Sequence, residues 1–250
     1  MATPPRLYIT PDLSTKATIP LTREQAHYLS NVLRLTQGAQ IYLFNGRDGE
    51  WQASFDSMTK KGGVALAERQ TRPQGTTPDV SLYFAPVKRG PMELIAQKAT
   101  ELGVAALAPV QTERTTNTRL NETRLNAAIM EAAEQCERLD LPELKPLHKL
   151  GSLLENWPPN RRLIFCDEAG SAPPMLEALA PFANKPPSPW AILVGPEGGF
   201  SSAERERLRA LPFVLPVSLG PLILRAETAA FAALTLWQAC LGDWPRFTKP

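Results

Sequence analysis

Apolar and polar positions change rhythm once along this chain, near residue 72. Ahead of that point Thr22 and Gln25 stand at capping-box spacing before Ala26, Leu29, Val32 and Leu33, which share one helical face, so the pattern predicts a helix packed on a sheet. IYLFNG and WQASFDSM flank Arg47-Asp48-Gly49, an Asp-Gly turn suited to a hairpin, and Lys60-Lys61-Gly62-Gly63 turns into VALAERQ. Short strands joined by tight turns predict a small β-barrel over residues 1–72.

Residues 71–79, TRPQGTTPD, lose all periodicity and mark a linker into a second domain, residues 73–250. Beyond it strands and helices alternate. VSLYFAPV is followed by a helix with Pro91 in its first turn, a stripe of Met92, Ile95, Ala99 and Leu102, and Gly103 as its stop. VAALAPV reads as a buried strand, and Leu125, Ile129, Ala132 and Cys136 mark another helix. LIFC, WAILVG and FVLPVSLG read as strands, with helices at SSAERERLRAL and RAETAAFAALTLWQAC. This alternation predicts a mostly parallel sheet covered on both faces, with the proline-rich stretch Ala172 to Pro189 as a surface connection.

Composition narrows the chemistry. With 43% apolar residues the chain can bury a core unaided, and no run reaches the roughly 18 apolar residues of a membrane helix. The start, MATPPRLYIT, lacks an apolar run, so the expectation is a cytoplasmic protein. Cys136, Cys166 and Cys240 show no C-x-x-C spacing, and His27 and His148 are the only histidines, which argues against a disulfide framework, a metal centre or a Ser-His-Asp triad. Residues 1–72 carry nine Lys/Arg against six Asp/Glu, so the slight basic excess falls on the first domain.

In open α/β sheets ligands sit beyond the carboxyl ends of the strands. Three segments occupy such places. Gly195-Pro196-Glu197-Gly198-Gly199-Phe200 leaves WAILV and enters a helix with a second capping box, Ser201 and Glu204. Its spacing matches neither a P-loop nor G-x-G-x-x-G, and the glycines either admit a ligand to the backbone or merely turn the chain. Leu219-Gly220-Pro221-Leu222-Ile223-Leu224-Arg225 runs into the last helix, either as an apolar ligand wall with Arg225 facing the reaction or as core and helix cap. Cys166-Asp167-Glu168-Ala169-Gly170 follows LIF, where a side chain could reach a ribose hydroxyl.

Together these segments resemble the RsmE family of ribosomal RNA uridine methyltransferases, in the SPOUT superfamily. The likeness runs through His27-Tyr28-Leu29 with Val32-Leu33-Arg34-Leu35, Lys88, Glu93 and Gln97 to Gly103, Glu113-Arg114, Glu131 to Cys136 with Arg138, Gly195 to Gly199, and Leu224 to Thr228. It implies a PUA-like β-barrel followed by a SPOUT-type α/β-knot domain, acting as a homodimer on small-subunit ribosomal RNA, within the 30S particle, with no metal and no membrane. The implied activity is S-adenosylmethionine-dependent methylation of N-3 of a uridine.

The resemblance also implies roles. Val194, Gly195, Pro196, Glu197, Gly198, Gly199, Ser218, Leu219, Gly220, Ile223, Leu224 and Thr228, with Cys166 and Glu168, would surround the cofactor. Arg225 and Glu197 would be catalytic, as anion stabiliser and proton acceptor. Arg6, Arg34, Lys88, Arg114, Gln135 and Arg138 would meet RNA. Leu222 departs from the family pattern, which often has arginine there, and leaves Arg225 as the candidate. Two other functions stay open: a SPOUT-fold RNA-binding or ribosome-assembly protein without activity, and a SPOUT enzyme acting on transfer RNA or a ribose 2′-hydroxyl.

Overall fold

The computed structural model describes residues 4–59, 62–168 and 172–246; Lys60 and Lys61 of the second turn, and Ala169 and Gly170 after LIFC, lie outside the described residues. The chain divides into two compact units, one made of residues up to Thr76 together with Met130–Leu141, the other of Thr77–Ile129 and the chain from Pro142 onward.

The first unit is a five-stranded sheet in the order β1-β3-β4-β5-β2, from β1 (Arg6–Tyr8), β2 (Thr18–Leu21), β3 (Gln40–Phe44), β4 (Glu50–Thr59) and β5 (Gly62–Arg72). Among its described strands only β1 and β3 pair in parallel. Three register shifts between β4 and β5 bend that ladder, and the curled sheet closes on a core of Leu7, Ile19, Ile41, Leu43, Phe55 and Ala65. Gly49 ends the β3–β4 turn at φ +75°, where a side chain would overlap the Arg72 carbonyl. The predicted helix is α1 (Arg23–His27): Thr22 accepts from the Gln25 amide, and the Gln25 side chain accepts from the Thr22 amide. It continues into a π-helical turn, Tyr28–Val32, which buries Leu29.

A carboxylate and two arginines lock this unit. Arg6 Nε donates to Glu50 at 2.8 Å and its remaining nitrogens to the carbonyls of Ala133, Glu134 and Arg138, while Arg72 and Thr71 also donate to Glu50. Burial alone would raise the Glu50 pKa, but Arg72, Thr71 and Arg6 outweigh it and hold the carboxyl below its ordinary value.

The second unit carries a parallel sheet in the order β12-β10-β11-β6-β7-β8, with β9 also on β7. Its strands are β6 (Val80–Phe84), β7 (Ala106–Gln111), β8 (Glu143–Leu144), β9 (His148–Lys149), β10 (Arg162–Cys166), β11 (Trp190–Val194) and β12 (Val214–Val217). The helices are α2 (Arg89–Glu101), α3 (Glu122–Gln135), whose last turns belong to the first unit, α4 (Leu150–Glu155), α5 (Met175–Leu179), α6 (Ser202–Ala210) and α7 (Ala226–Cys240). Leu163, Phe165, Ala191 and Leu193 pack with Leu154 of α4 and Leu208 of α6. The alternate residues Ile164 and Ile192 are also fully buried, so both faces are covered, and α7 lies against β6 and β11 beside α2 and α5.

One expectation is corrected here. The stretch from Ala172 to Pro189 is not simply a surface connection, because α5 lies within it and buries Met175 and Leu179. Apolar residues four apart between two prolines are enough to dock a short helix once a sheet face is present.

Candidate active site

The carboxyl ends of three neighbouring strands, β11, β10 and β12, open into one cavity of about 600 Å³. Its first wall is the glycine-bearing turn after β11. Gly195 must be glycine because a side chain would meet the Phe200 ring at 2.6 Å, and Phe200 is wholly buried against Phe165. Gly199 sits at φ +66°, and a methyl there would overlap the Glu168 carboxylate.

Two side chains hold this turn from outside. Glu204 accepts from the Ser201 amide at 3.0 Å, completing the predicted capping box, and with its other oxygen from the Glu113 amide at 2.8 Å. Arg114 donates to the Gly198 carbonyl at 3.0 Å. The Glu113-Arg114 loop and the glycine turn are therefore fastened to each other twice, and Glu197 of that turn is exposed and lines the cavity.

The second wall is the loop after β12. Ser218 exchanges backbone hydrogen bonds with Pro173 and Met175, so the segment ahead of α5 braces the loop at its root. Past Gly220 the loop is apolar and open: Leu222 is 76% and Ile223 93% exposed. Arg225 is the N-cap residue of α7 yet makes no side-chain capping bond, and no acidic partner faces it among the described residues. The cavity floor is the end of β10. Burial pushes the Cys166 thiol up to about 12, so it stays protonated and is no nucleophile. Asp167 is buried and held by Arg209 of α6, leaving Glu168 as the exposed carboxylate.

Of the residues singled out in the sequence, Cys166, Glu168, Val194 to Glu197, Ser218 to Gly220, Ile223, Leu224 and Arg225 line this one cavity. Gly198 and Gly199 belong to the same turn, beside Arg114 and Glu168, but do not line the cavity, and neither does Thr228, which is exposed in the first turn of α7. Leu222, expected in the apolar wall, lines it as well, and so does Asp167 beside Glu168; Pro174 and Ala229 line it too and were not singled out as ligand contacts, because their place depends on the fold around α5 and α7 rather than on any local motif.

The residues assigned to RNA separate into two groups. Arg34 is exposed at φ +55°, and Lys88, Arg114 and Gln135 are exposed. Arg6 and Arg138 are not available to phosphates: their side chains are 6% and 9% exposed, Arg6 on Glu50 and Arg138 on Asp140 at 2.7 Å. An arginine in a sequence does not reveal that its carboxylate stands 44 positions away. No group of three or more metal-ligating side chains occurs among the described residues, and no described helix is long and apolar enough to cross a membrane.

A PUA-like sheet and a SPOUT-type parallel sheet, with a glycine wall and an apolar wall meeting beyond three strand ends, define an RNA methyltransferase. Residues 75–238 match the RNA methyltransferase domain family and residues 21–66 the RNA methyltransferase PUA domain family. The chain belongs to the ribosomal RNA small subunit methyltransferase E family. The member from Rickettsia conorii is 32% identical over 92% of this chain and 93% of its own length, and that from a Synechocystis species 35% over 94% and 78%. A Legionella pneumophila methyltransferase solved with bound S-adenosylmethionine superposes with a TM-score of 0.81 at 31% identity, covering 95% of this chain and 98% of its own. The Neisseria gonorrhoeae member of the family, also bound to S-adenosylmethionine, gives 0.84 at 26% identity, covering 97% and 100%.

Proposed function

We propose that this protein transfers a methyl group from S-adenosylmethionine to N-3 of a uridine in small-subunit ribosomal RNA. The observation that carries this reading is the single cavity in which Arg225 and Glu197, both exposed and without ion-pair partners among the described residues, face a space walled by glycine backbone and by Leu222 to Leu224. The residues fit the cofactor: about 600 Å³ accommodates a nucleoside with an amino-acid tail, the apolar loop suits an adenine, and the Glu168 carboxylate suits ribose hydroxyls and a cationic ligand.

When bound, the cofactor supplies an electrophilic methyl group on a sulfonium. Everything else falls to this chain. Uridine N-3 carries a proton at neutral pH, so its lone pair becomes available only as that proton leaves, to Glu197 or to a water beside it. Arg225 faces the oxygens on which the resulting negative charge spreads and stabilises it. The rigid glycine wall and the base of the apolar loop hold the two reactants in line, and the target base leaves its stack to enter.

In this reading residues 1–72 form an RNA-binding domain and residues 73–250 the catalytic domain. Arg34, Lys88, Arg114 and Gln135 contact RNA. The chain in this reading is tied in a trefoil knot, as the family resemblance implies, and the exposed Leu222 and Ile223 support a homodimer that covers them. The substrate is the assembled 30S particle in the cytoplasm. The test is transfer of labelled methyl to small subunits lacking the modification, with naked RNA in parallel and nucleoside mass spectrometry as readout. 3-Methyluridine formed on the particle supports the reading; a 2′-O-methyl product, a transfer RNA product or no transfer overturns it.

A further inference from the structure

A second cavity, of about 640 Å³, opens at the opposite edge of the parallel sheet, where β6, β10 and β11 begin. Five-residue strands separate it from the transfer cavity by roughly 17 Å at about 3.3 Å per residue. Its charged residues fall into two kinds. Arg161 is neutralised by Asp79, at 2.8 and 3.0 Å, and donates to the Trp190 carbonyl, so it is structural. Arg162 and Lys185 are exposed, have no acidic partner among the described residues, and flank Phe182, with Arg162 Cζ 4.7 Å and Lys185 Nζ 4.8 Å from the ring centre.

Apart from Asn160 and Ser188 the rest of the lining is apolar, much of it proline and aromatic, with Trp190 and Pro187 among its walls. One polar atom in it is unexplained. Trp237 is 2% exposed and lines this cavity, and its indole N–H has no acceptor among the described residues. Buried donors are almost always paired, so an orphan beside a cavity calls for an acceptor brought by an occupant. Two unpaired cations at the rim, flat apolar walls and one buried donor together describe a ring carrying a phosphate. Inorganic phosphate would satisfy the cations alone and leave the walls and the indole unused.

We propose that this cavity holds a nucleotide of the substrate RNA distant from the methylated one, its phosphate on Arg162 and Lys185 and its base against the proline and aromatic walls, with a base acceptor on Trp237. The inference rests on the RNA methyltransferase reading, and it assigns a second anchoring point on the catalytic domain, outside the barrel.

The test is binding, without cofactor, of a short oligouridylate, uridine 5′-monophosphate and inorganic phosphate to the full-length protein. The variants are Arg162→Ala with Lys185→Ala, which alters exposed side chains only, and Trp237→Phe, which keeps a ring and drops the donor. Removing two phosphate contacts should lower oligouridylate affinity roughly tenfold and reduce its log–log salt slope by about 1.4, the single-strand value for two charges. Trp237→Phe should lower affinity several-fold without changing the slope. In methyl transfer the double variant should raise KM for RNA and leave kcat unchanged. An unaltered affinity and slope in the double variant overturns the proposal, as does uridine 5′-monophosphate or phosphate binding this cavity as tightly as the oligonucleotide. Failure of the wild-type protein to methylate RNA would instead remove the functional reading, and the binding experiment would still read separately.

Discussion

Glu134→Gln should make the protein more stable at neutral pH and leave it nearly unchanged in acid. Glu134 lies near the end of α3, in the first unit, and accepts the Tyr8 amide at 2.9 Å. Burial raises its pKa to about 6 from an ordinary 4.5; the Tyr8 hydrogen bond and Arg6 oppose the rise, and Glu131 adds to it. A carboxyl whose folded pKa is raised binds its proton more tightly in the native state, so stability falls as pH climbs from the unfolded value through the folded one. A shift of about 1.5 at about 1.36 kcal/mol each makes ionised Glu134 a burden of about 2 kcal/mol above pH 7, and almost none at pH 4. Glutamine keeps a carbonyl for the Tyr8 amide and never ionises. Its advantage over the parent should therefore grow by about 2 kcal/mol between pH 4 and pH 7, a gain of roughly 4–8 °C in Tm at neutral pH for a chain of this size. Thermal and urea unfolding by circular dichroism across that range measures it. A difference between variant and parent that does not change with pH would refute the reasoning, because any fixed cost of the amide cancels in the slope.

Three further substitutions probe the lock and the two walls. Glu50→Gln leaves Arg6 buried without its charge partner and should lower stability by about 3–5 kcal/mol at pH 7 in urea unfolding. The Glu50 carboxyl lies below its ordinary value, so the loss should shrink only as pH falls below about 4.5, the reverse of the Glu134 window. Gly199→Ala forces a left-handed alanine against Glu168; it should cost about 1–2 kcal/mol in Tm measurements and at least tenfold in S-adenosylmethionine affinity by calorimetry. Arg225→Ala removes an exposed side chain that caps nothing, so Tm and cofactor affinity should hold while kcat falls about 10²–10³-fold; full turnover would remove Arg225 from the reaction.

What the sequence made legible was local or strand-bound. Both capping boxes were readable because two residues three positions apart carry the whole signal, and the cavity walls because each leaves a strand that reads as buried. The helices α4 and α5 were not, since six and five residues without side-chain caps carry too little pattern to stand apart from a loop. Nor was the grouping of Met130–Leu141 with the barrel: that segment reads as one more helical stripe, and its bonds to Arg6 and Tyr8 join residues more than 120 positions apart. Shorter separations hide pairs as well: Arg6 and its carboxylate Glu50 stand 44 positions apart, and Asp167 and Arg209, which steady the cavity floor, 42.

The two walls differ in a way that bears on how the site works. The glycine turn is held by Glu204, by Arg114 and by its own Phe200 anchor, so its amides and Glu197 are placed before any ligand arrives. The apolar loop is braced at Ser218, while its tip leaves Leu222 and Ile223 to solvent. Exposed aliphatic side chains gain when covered, at about 25 cal/mol for each Å² removed from water. Covering that tip therefore adds to ligand affinity without fixing the alignment, which rests on the turn and on the braced base of the loop. Changes at Ile223 should act through binding, and changes at the Arg114 or Glu204 fastening through the rate of transfer, because the fastened wall helps set where the reacting groups stand while the open tip does not.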